Sequence, residues 1–383
     1  MRISCVRTYM LTCPLEEPFN FSQWQYSARE ALLVRITSDD GVDGWGECYG
    51  PAAPTQAAIS TFYAPRLLGM NALQTDVVWH DLWRSSLDFA RRGLMMGAMS
   101  GIDMALWDLK GKVHGEPVSS LMCGRVRDRL PCYATGMYFR DRPDHVLIDE
   151  LVGEAGRYHG EGFKGLKIKI GRNPGFDVRL VQEMRRALPD AVLMADSNHA
   201  YDLPEATAIG RVLEDQGFAW FEEPLSPEHP QLYRQLHDAV RVPLAAGESE
   251  QTRFGFQQLL APGGIDIAQP DLAYCGGPSE GMKIRAVASS LGINVVPHVW
   301  GTMINLAAAA HFLASDYRYP GRAEQHGGIL ECDRTPNPLR DEVFSSSLVV
   351  EDGCVEVPSG PGLGIEVDLK AMQRFCGKEE EVS

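Results

Sequence analysis

The sequence predicts an α/β barrel of the TIM type preceded by an α+β domain. Three observations carry this. From residue 130 onward, short apolar runs alternate with amphipathic helical stretches. The first 125 residues follow another order, strands first and helices after. Ionisable residues close successive apolar runs at the spacing of one strand–helix unit. The chain has 383 residues, which at roughly 100–200 residues per domain allows two or three domains, or one large barrel with an appendage.

In the N-terminal part, residues 30–37 (Glu-Ala-Leu-Leu-Val-Arg-Ile-Thr) read as a strand. Asp39-Asp40-Gly41 is a turn, and Val42 to Cys48 return as a hairpin partner. The strongest helical pattern is Leu94 to Lys110, with Gly111 as its expected stop. The glycine- and charge-rich Gly124 to Asp128 marks a boundary. The expected division is therefore a domain over 1–125, a barrel over 126–345, and a segment over 346–383 returning to the first domain.

The apolar runs are Leu130–Thr135, Gly165–Ile170, Ala191–Ala195, Phe218–Phe221, Val242–Ala246, Ile265–Gln269, Ile293–Pro297 and about Tyr319–Ala323. Between them lie amphipathic stretches such as Asp177–Leu188 and Leu203–Gln216. This alternation implies parallel strands joined by right-handed crossovers. Eight such strands suit a closed barrel, with an open doubly wound sheet as the architectural alternative.

Lys169, Asp196, Glu222, Glu248, Asp271, His298 and Glu324 each close one of these runs, at separations of 27, 26, 26, 23, 27 and 26 residues. Residues repeated once per unit at the strand end share the C-terminal rim, where barrel active sites are built. Acids just after strands are also ordinary at helix N-termini. Helix capping, however, explains neither Lys169 nor His298.

Asp196, Glu222 and Glu248 come from three successive strands and would repel one another at one point. A hard divalent cation resolves this, and Mg2+ accepts carboxylates together with water and substrate oxygens. No HExxH or tetrahedral Cys/His set speaks for zinc. Lys167 and Lys169, two apart in a strand, point to the same side. A neighbouring ammonium and a cation would depress the pKa of Lys169 and suit it to act as a base. His298 lies across the rim, and Asp271 one unit earlier could fix its tautomer, making a second acid/base. No GxSxG, Walker A or Rossmann fingerprint offers a competing chemistry.

Composition narrows the partners. Lys+Arg 36 against Asp+Glu 51 gives a net charge of -15, which disfavours a nucleic-acid backbone and an anionic membrane surface. The apolar stretch Ile304 to Ala314 is too short to span a bilayer. The nine cysteines are scattered with no CxxC pair, so reduced thiols and the cytoplasm are expected.

These residues resemble the enolase superfamily, in its mandelate racemase subgroup. The resemblance is carried by Lys167-Ile168-Lys169-Ile170-Gly171, Asp196-Ser197-Asn198, Trp220-Phe221-Glu222-Glu223-Pro224, Gly247-Glu248, Gln269-Pro270-Asp271 and Pro297-His298. It extends from Gly44-Trp45-Gly46-Glu47 to Pro361-Gly362-Leu363-Gly364. It implies an α+β capping domain on a (β/α)7β barrel, with Mg2+ on Asp196, Glu222 and Glu248. It further implies Lys169 as one base assisted by Lys167, and His298 with Asp271 as the other acid/base. Glu324 and Asn198 are then expected near the substrate, and the protein is expected to be a homo-oligomer.

Tyr133-Ala134-Thr135-Gly136, His298-Val299-Trp300-Gly301-Thr302 and Cys332 to Pro338 resemble the galactarolactone cycloisomerase-like branch. The family varies its substrate through two capping-domain loops, here about Glu16–Arg29 and Cys48–Thr55. Trp24 and Arg29 from the first, with Tyr138 and Trp300, are the expected substrate contacts. The implied substrate is a sugar acid or its lactone, deprotonated alpha to the carboxylate. Elimination of a lactone ring oxygen would make a cycloisomerase, loss of a β-hydroxyl a dehydratase, and reprotonation a racemase. The same residues serve all three.

Overall fold

The computed structural model describes residues 1–316 and 328–383. β1 (Ile3–Phe21) and β2 (Trp24–Ser38) form one long antiparallel hairpin, and β3 (Asp43–Cys48) pairs on the far side of β2. The segment expected as a specificity loop, Glu16–Arg29, is largely the tip of this hairpin. Aromatic cross-strand partners such as Phe19 with Tyr26 and Phe21 with Trp24 keep it paired to its turn.

The long helix Leu94–His114 packs on β3. Glycines permit the close approach, since a Cβ on Gly46 would lie 1.9 Å from the Gly101 carbonyl oxygen. The helix runs through Gly111 and ends at Gly115, which takes the left-handed conformation (φ 68°) that favours glycine. Gly111 is therefore not the expected stop. It is a contact point, where a Cβ would meet Gly362 Cα at 2.5 Å.

The barrel strands follow: β4 (Arg129–Thr135), β5 (Gly165–Lys169), β6 (Val192–Asp196), β7 (Phe221–Glu222), β8 (Leu244–Ala246), β9 (Ile267–Ala268) and β10 (Asn294–Val295). Each pairs parallel with the next. β11 (Leu330–Asp333) returns to pair parallel with β4, which excludes an open doubly wound sheet. A helix follows each of β4 to β10, and only the four-residue turn Pro338–Asp341 follows β11, so the architecture is (β/α)7β. The run expected near Tyr319–Ala323, with Glu324, lies outside the described residues.

Local signals explain the helices. Pro174–Ala187 starts where the Asn173 side chain accepts from the Phe176 N–H, and it buries Phe176, Leu180, Val181 and Met184 on one face. Leu203–Asp215 opens with an Asp202/Glu205 capping box. Met303–Ala314 is buried on all sides, as its all-round apolar composition requires. No helix among the described residues is long and apolar enough to cross a membrane.

After the barrel, β12 (Val350–Glu351) and β13 (Cys354–Glu356) form a hairpin against the start of β4. β14 (Cys376–Val382) pairs with β1 and completes the N-terminal sheet. Two buried carboxylates of the cap reach helix N-termini of the barrel. Glu47 accepts from Thr302 and Asn305, and Asp103 accepts from the Ser279 N–H and hydroxyl. The hairpin tip also pairs with the barrel, through reciprocal Asn20 and Phe139 backbone bonds of 2.7 and 2.8 Å.

Candidate active site

Parallel register brings the ladder together. Lys169 lies beside Asp196, and Asp196 beside Glu222, on adjacent strands. Below them Tyr133, Met194, Trp220, Ala245 and Val296 plug the barrel interior. The ionisable side chains therefore stand on an apolar floor at the C-terminal mouth, where the site was expected.

Asp196, Glu222 and Glu248 each offer an oxygen within 4.8 Å of the others. Asp196 and Glu222 are buried, and Glu248 is 14% exposed. Burial, with Glu223 next, pushes the Glu248 carboxyl up, and burial pushes Glu222 up despite Lys167. Asp196 is held down because Lys169 and Lys167 outweigh its burial. Glu248 Oε2 is buried with no hydrogen-bond partner among the described residues, and His298 Nε2 lies 3.3 Å from it. Three converging carboxylate oxygens are a donor set that fits a hard divalent cation.

Lys167 is buried at 1% exposure, 2.6 Å from Glu222 Oε1, 2.7 Å from Glu331 Oε1 and 3.8 Å from Asp196. Lys169 Nζ donates to Asp196 Oδ2 at 2.5 Å and to Asn198 Oδ1 at 2.9 Å. The expected depression of the Lys169 pKa invokes a cation beside the second ammonium, and the protein's own groups together act the other way. Burial pulls the ammonium down, but Asp196 outweighs it and the second ammonium, and the net shift is upward.

On the other side, His298 Nδ1 donates to Asp271 Oδ2 at 2.7 Å, while its Nε2 lies 3.3 Å from Glu248. Burial alone would lower the imidazole pKa. Glu248 and the Asp271 hydrogen bond overcome it and raise the value to about 10. Lys169 thus flanks the carboxylate trio at Asp196, and His298 flanks it at Glu248.

The expected substrate contacts gather where the cap meets the mouth. Trp24 is 42% exposed, edge-on to His199. Tyr138 is buried, stacked on Phe19 at 4.5 Å. Arg29 is buried between the Phe19 and Trp300 rings and paired with Asp333 and Thr335. A cleft of about 440 Å³ opens there, lined among others by Gln25, Tyr26, Arg29, Tyr49, Trp300 and Asn337. Of the expected contacts, Arg29 and Trp300 border it. Phe21 and Tyr138 present their rings to Lys169 Nζ at 4.9 and 5.7 Å.

Several neighbours escape the regular spacing. Glu331, on β11, holds Lys167 and accepts from the Val299 N–H at 3.0 Å. It falls out of phase with the ladder, although the alternation Leu330-Glu331-Cys332-Asp333 was a strand signal. Trp220 and Gln269 both donate to Glu222 Oε2, at 2.9 and 2.7 Å. Glu223 lies 2.9 Å from His199 and ties the loop after Asp196 to that after Glu222. Asn198, His199 and Glu223 all carry positive φ values, of 43°, 63° and 43°. Such strain clusters at functional sites.

A buried lysine and a buried histidine flanking three carboxylates on the rim of a capped (β/α)7β barrel are the architecture of one class of enzymes. Residues 150–371 match the enolase C-terminal domain-like family, and residues 5–123 match the mandelate racemase / muconate lactonizing enzyme N-terminal domain. The chain belongs to the enolase superfamily. It is 42% identical to a D-galactarolactone cycloisomerase of Agrobacterium fabrum, covering 98% of this chain and 99% of that one. A solved 3,6-anhydro-D-galactonate cycloisomerase from Zobellia galactanivorans is 38% identical, with a TM-score of 0.89 over 99% of this chain and 100% of that one. The L-talarate/galactarate dehydratase from Salmonella typhimurium LT2, liganded with Mg and L-lyxarohydroxamate, is 27% identical, with a TM-score of 0.87 over 100% of this chain and 94% of that one.

Proposed function

We propose that this protein removes the proton alpha to the carboxylate of a sugar acid or its lactone and then eliminates the β-oxygen, as an aldarolactone cycloisomerase. One observation carries the reading: Lys169 and His298 flank the Asp196, Glu222 and Glu248 trio from two sides. The similarity to two cycloisomerases supports it.

In this reading Asp196, Glu222 and Glu248 hold one Mg2+, which supplies positive charge to a substrate carboxylate and to the charge that develops on it. Lys169 or His298 takes the α-proton. Lys167, fixed by Glu222 and Glu331, adds positive charge beside the enolate-like carboxylate. The other of Lys169 and His298 then gives a proton to the departing β-oxygen. Asp271 keeps the His298 Nδ1 protonated, so its Nε2 faces the mouth. Asn198 and Lys169 hold one another in place. Trp24, Arg29, Tyr138 and Trp300 form or support the wall that shapes the sugar chain.

With a hydroxyl in place of a ring oxygen, the same steps make a sugar-acid dehydratase. We assign a cap to residues 1–125, a barrel to 126–345 and a returning segment to 346–383. We also place the protein in the cytoplasm, whose reducing conditions fit its free cysteines, and expect a homo-oligomer.

The test is deuterium incorporation at Cα in D2O, followed by NMR, across a panel of aldonates, aldarates and their lactones. Exchange with ring opening is the expected result. A panel giving no exchange, no keto acid and no ring opening would remove the reading.

A further inference from the structure

Asp271 is held on both oxygens. Oδ2 accepts from His298 Nδ1 at 2.7 Å. Oδ1 accepts from the Ala273 N–H at 2.7 Å and from the Asn305 side-chain amide at 3.1 Å. Asn305 is 1% exposed, in the first turn of Met303–Ala314. Its Oδ1 has no hydrogen-bond partner among the described residues, so the bond to Asp271 orients the side chain.

The same residue is gripped from the cap. Its backbone N–H donates to Glu47 Oε2 at 3.1 Å. The Glu47 carboxylate also accepts from the Thr302 N–H at 2.8 and 3.1 Å and from its hydroxyl at 2.7 Å. Thr302 already caps this helix through the Ile304 N–H, so Glu47 is a second clasp, supplied by the other domain. The fit is close: a Cβ on Gly301 would lie 2.4 Å from Glu47 Oε1. Two residues beyond Glu47, Tyr49 lines the cleft and sets its ring edge-on to His298, with centroids 5.9 Å apart.

We propose that Asn305 is a positioning residue for the Asp271–His298 pair, and that Glu47 makes this placement depend on the cap being seated. The proposal rests on His298 being an acid/base of the proposed reaction. With one oxygen pinned by Asn305 and Ala273, Asp271 presents the other to the imidazole in a single direction, and Nε2 is aimed along the Glu248 side. Without Asn305, one of the two bonds that stop the carboxylate turning is gone, and the ring turns with it. The cap that walls the substrate cleft thereby also sets the imidazole, so seating the cap and aligning the acid/base are one event.

The test uses the full chain labelled with 15N-histidine and reads the downfield proton resonance of His298 Nδ1–H, assigned by its loss in His298→Asn. Asn305→Ala is expected to shift or broaden this resonance while the fold, followed by circular dichroism, and Mg2+ affinity hold. Asn305→Ser, which keeps a donor, should restore part of it. Glu47→Gln touches neither Asp271 nor His298 and should move the same resonance. A folded Asn305→Ala protein with the resonance unchanged would overturn the positioning role, and a silent Glu47→Gln would overturn the coupling to the cap. If Asn305→Ala does not fold, Asn305→Ser and Glu47→Gln carry the same readout. No substrate is needed, so failure to find a sugar acid that reacts is a separate result. With a substrate in hand, kcat should fall roughly 10- to 100-fold at little changed KM. A loss confined to KM would overturn the proposal.

Discussion

Lys169 Nζ and Asp196 Oδ2 share a hydrogen bond of 2.5 Å, so the candidate base is anchored to a candidate metal ligand on the next strand. The pairing raises the lysine pKa and lowers that of the aspartate. A cation held by Asp196 would compete with Lys169 for the charge of that carboxylate and so weaken the pairing.

Lys169→Ala should therefore abolish proton abstraction by the lysine and leave the metal site able to load. Single-turnover assays and a metal titration on the same variant separate the two. Undiminished turnover would remove Lys169 from the base role.

Glu222 answers to three donors, Lys167, Trp220 and Gln269, which hold its carboxylate toward the trio. Glu222→Gln should weaken Mg2+ binding by roughly tenfold or more, measured by calorimetry. Unchanged affinity would take Glu222 out of the ligand set.

Asp103 lies far from the trio along the chain and gives a pH test of cap seating. Burial raises its pKa from 3.8 to about 7, against the Ser279 hydrogen bonds. The folded protein keeps this proton longer than the unfolded chain, so the group's stabilisation is full below 3.8 and is lost as pH rises toward about 7. Denaturant titrations should show the wild type losing stability relative to Asp103→Asn by on the order of a few kcal/mol between about pH 4 and pH 8. A pH-independent difference would contradict this.

Asp333 neutralises the buried Arg29, with side chains each 4% exposed. Asp333→Ala strands that charge and should cost about 3 kcal/mol or more by urea unfolding. A loss below about 1 kcal/mol, the range of exposed pairs, would mean that Thr335 and the Pro336 carbonyl suffice to hold Arg29.

Gly46→Ala drives a methyl toward the Gly101 carbonyl, where both partners are backbone. The expected cost is about 3 kcal/mol, the upper end of overpacking. Thermal unfolding reads it, and a neutral change would show that the helix Leu94–His114 can move away from β3.

Much of the site was legible because it is periodic. Lys169, Asp196, Glu222, Glu248, Asp271 and His298 close successive strands, and a barrel converts equal spacing along the chain into one rim. Glu331 and Asn305 were not legible. Glu331 enters on β11, later in the chain than the eighth run was expected. Asn305 interrupts an apolar helical stretch, and no local pattern says which buried group it meets. The segment expected as a loop, Glu16–Arg29, is largely hairpin, with aromatic cross-strand pairs at its tip and a shift of register between Pro14 and Phe19.

The sequence by itself determined the strand–helix alternation, the ionisable rim and the chemistry that three carboxylates, two lysines and a histidine imply, because these follow from local periodicity and residue type. Only the tertiary structure decided which carboxylate holds which lysine, that Arg29 is paired with Asp333 inside the wall, and that Glu47 grips the helix carrying Asn305. Those relations join residues far apart in the chain, and their distances depend on how the cap sits on the barrel, which no local pattern encodes.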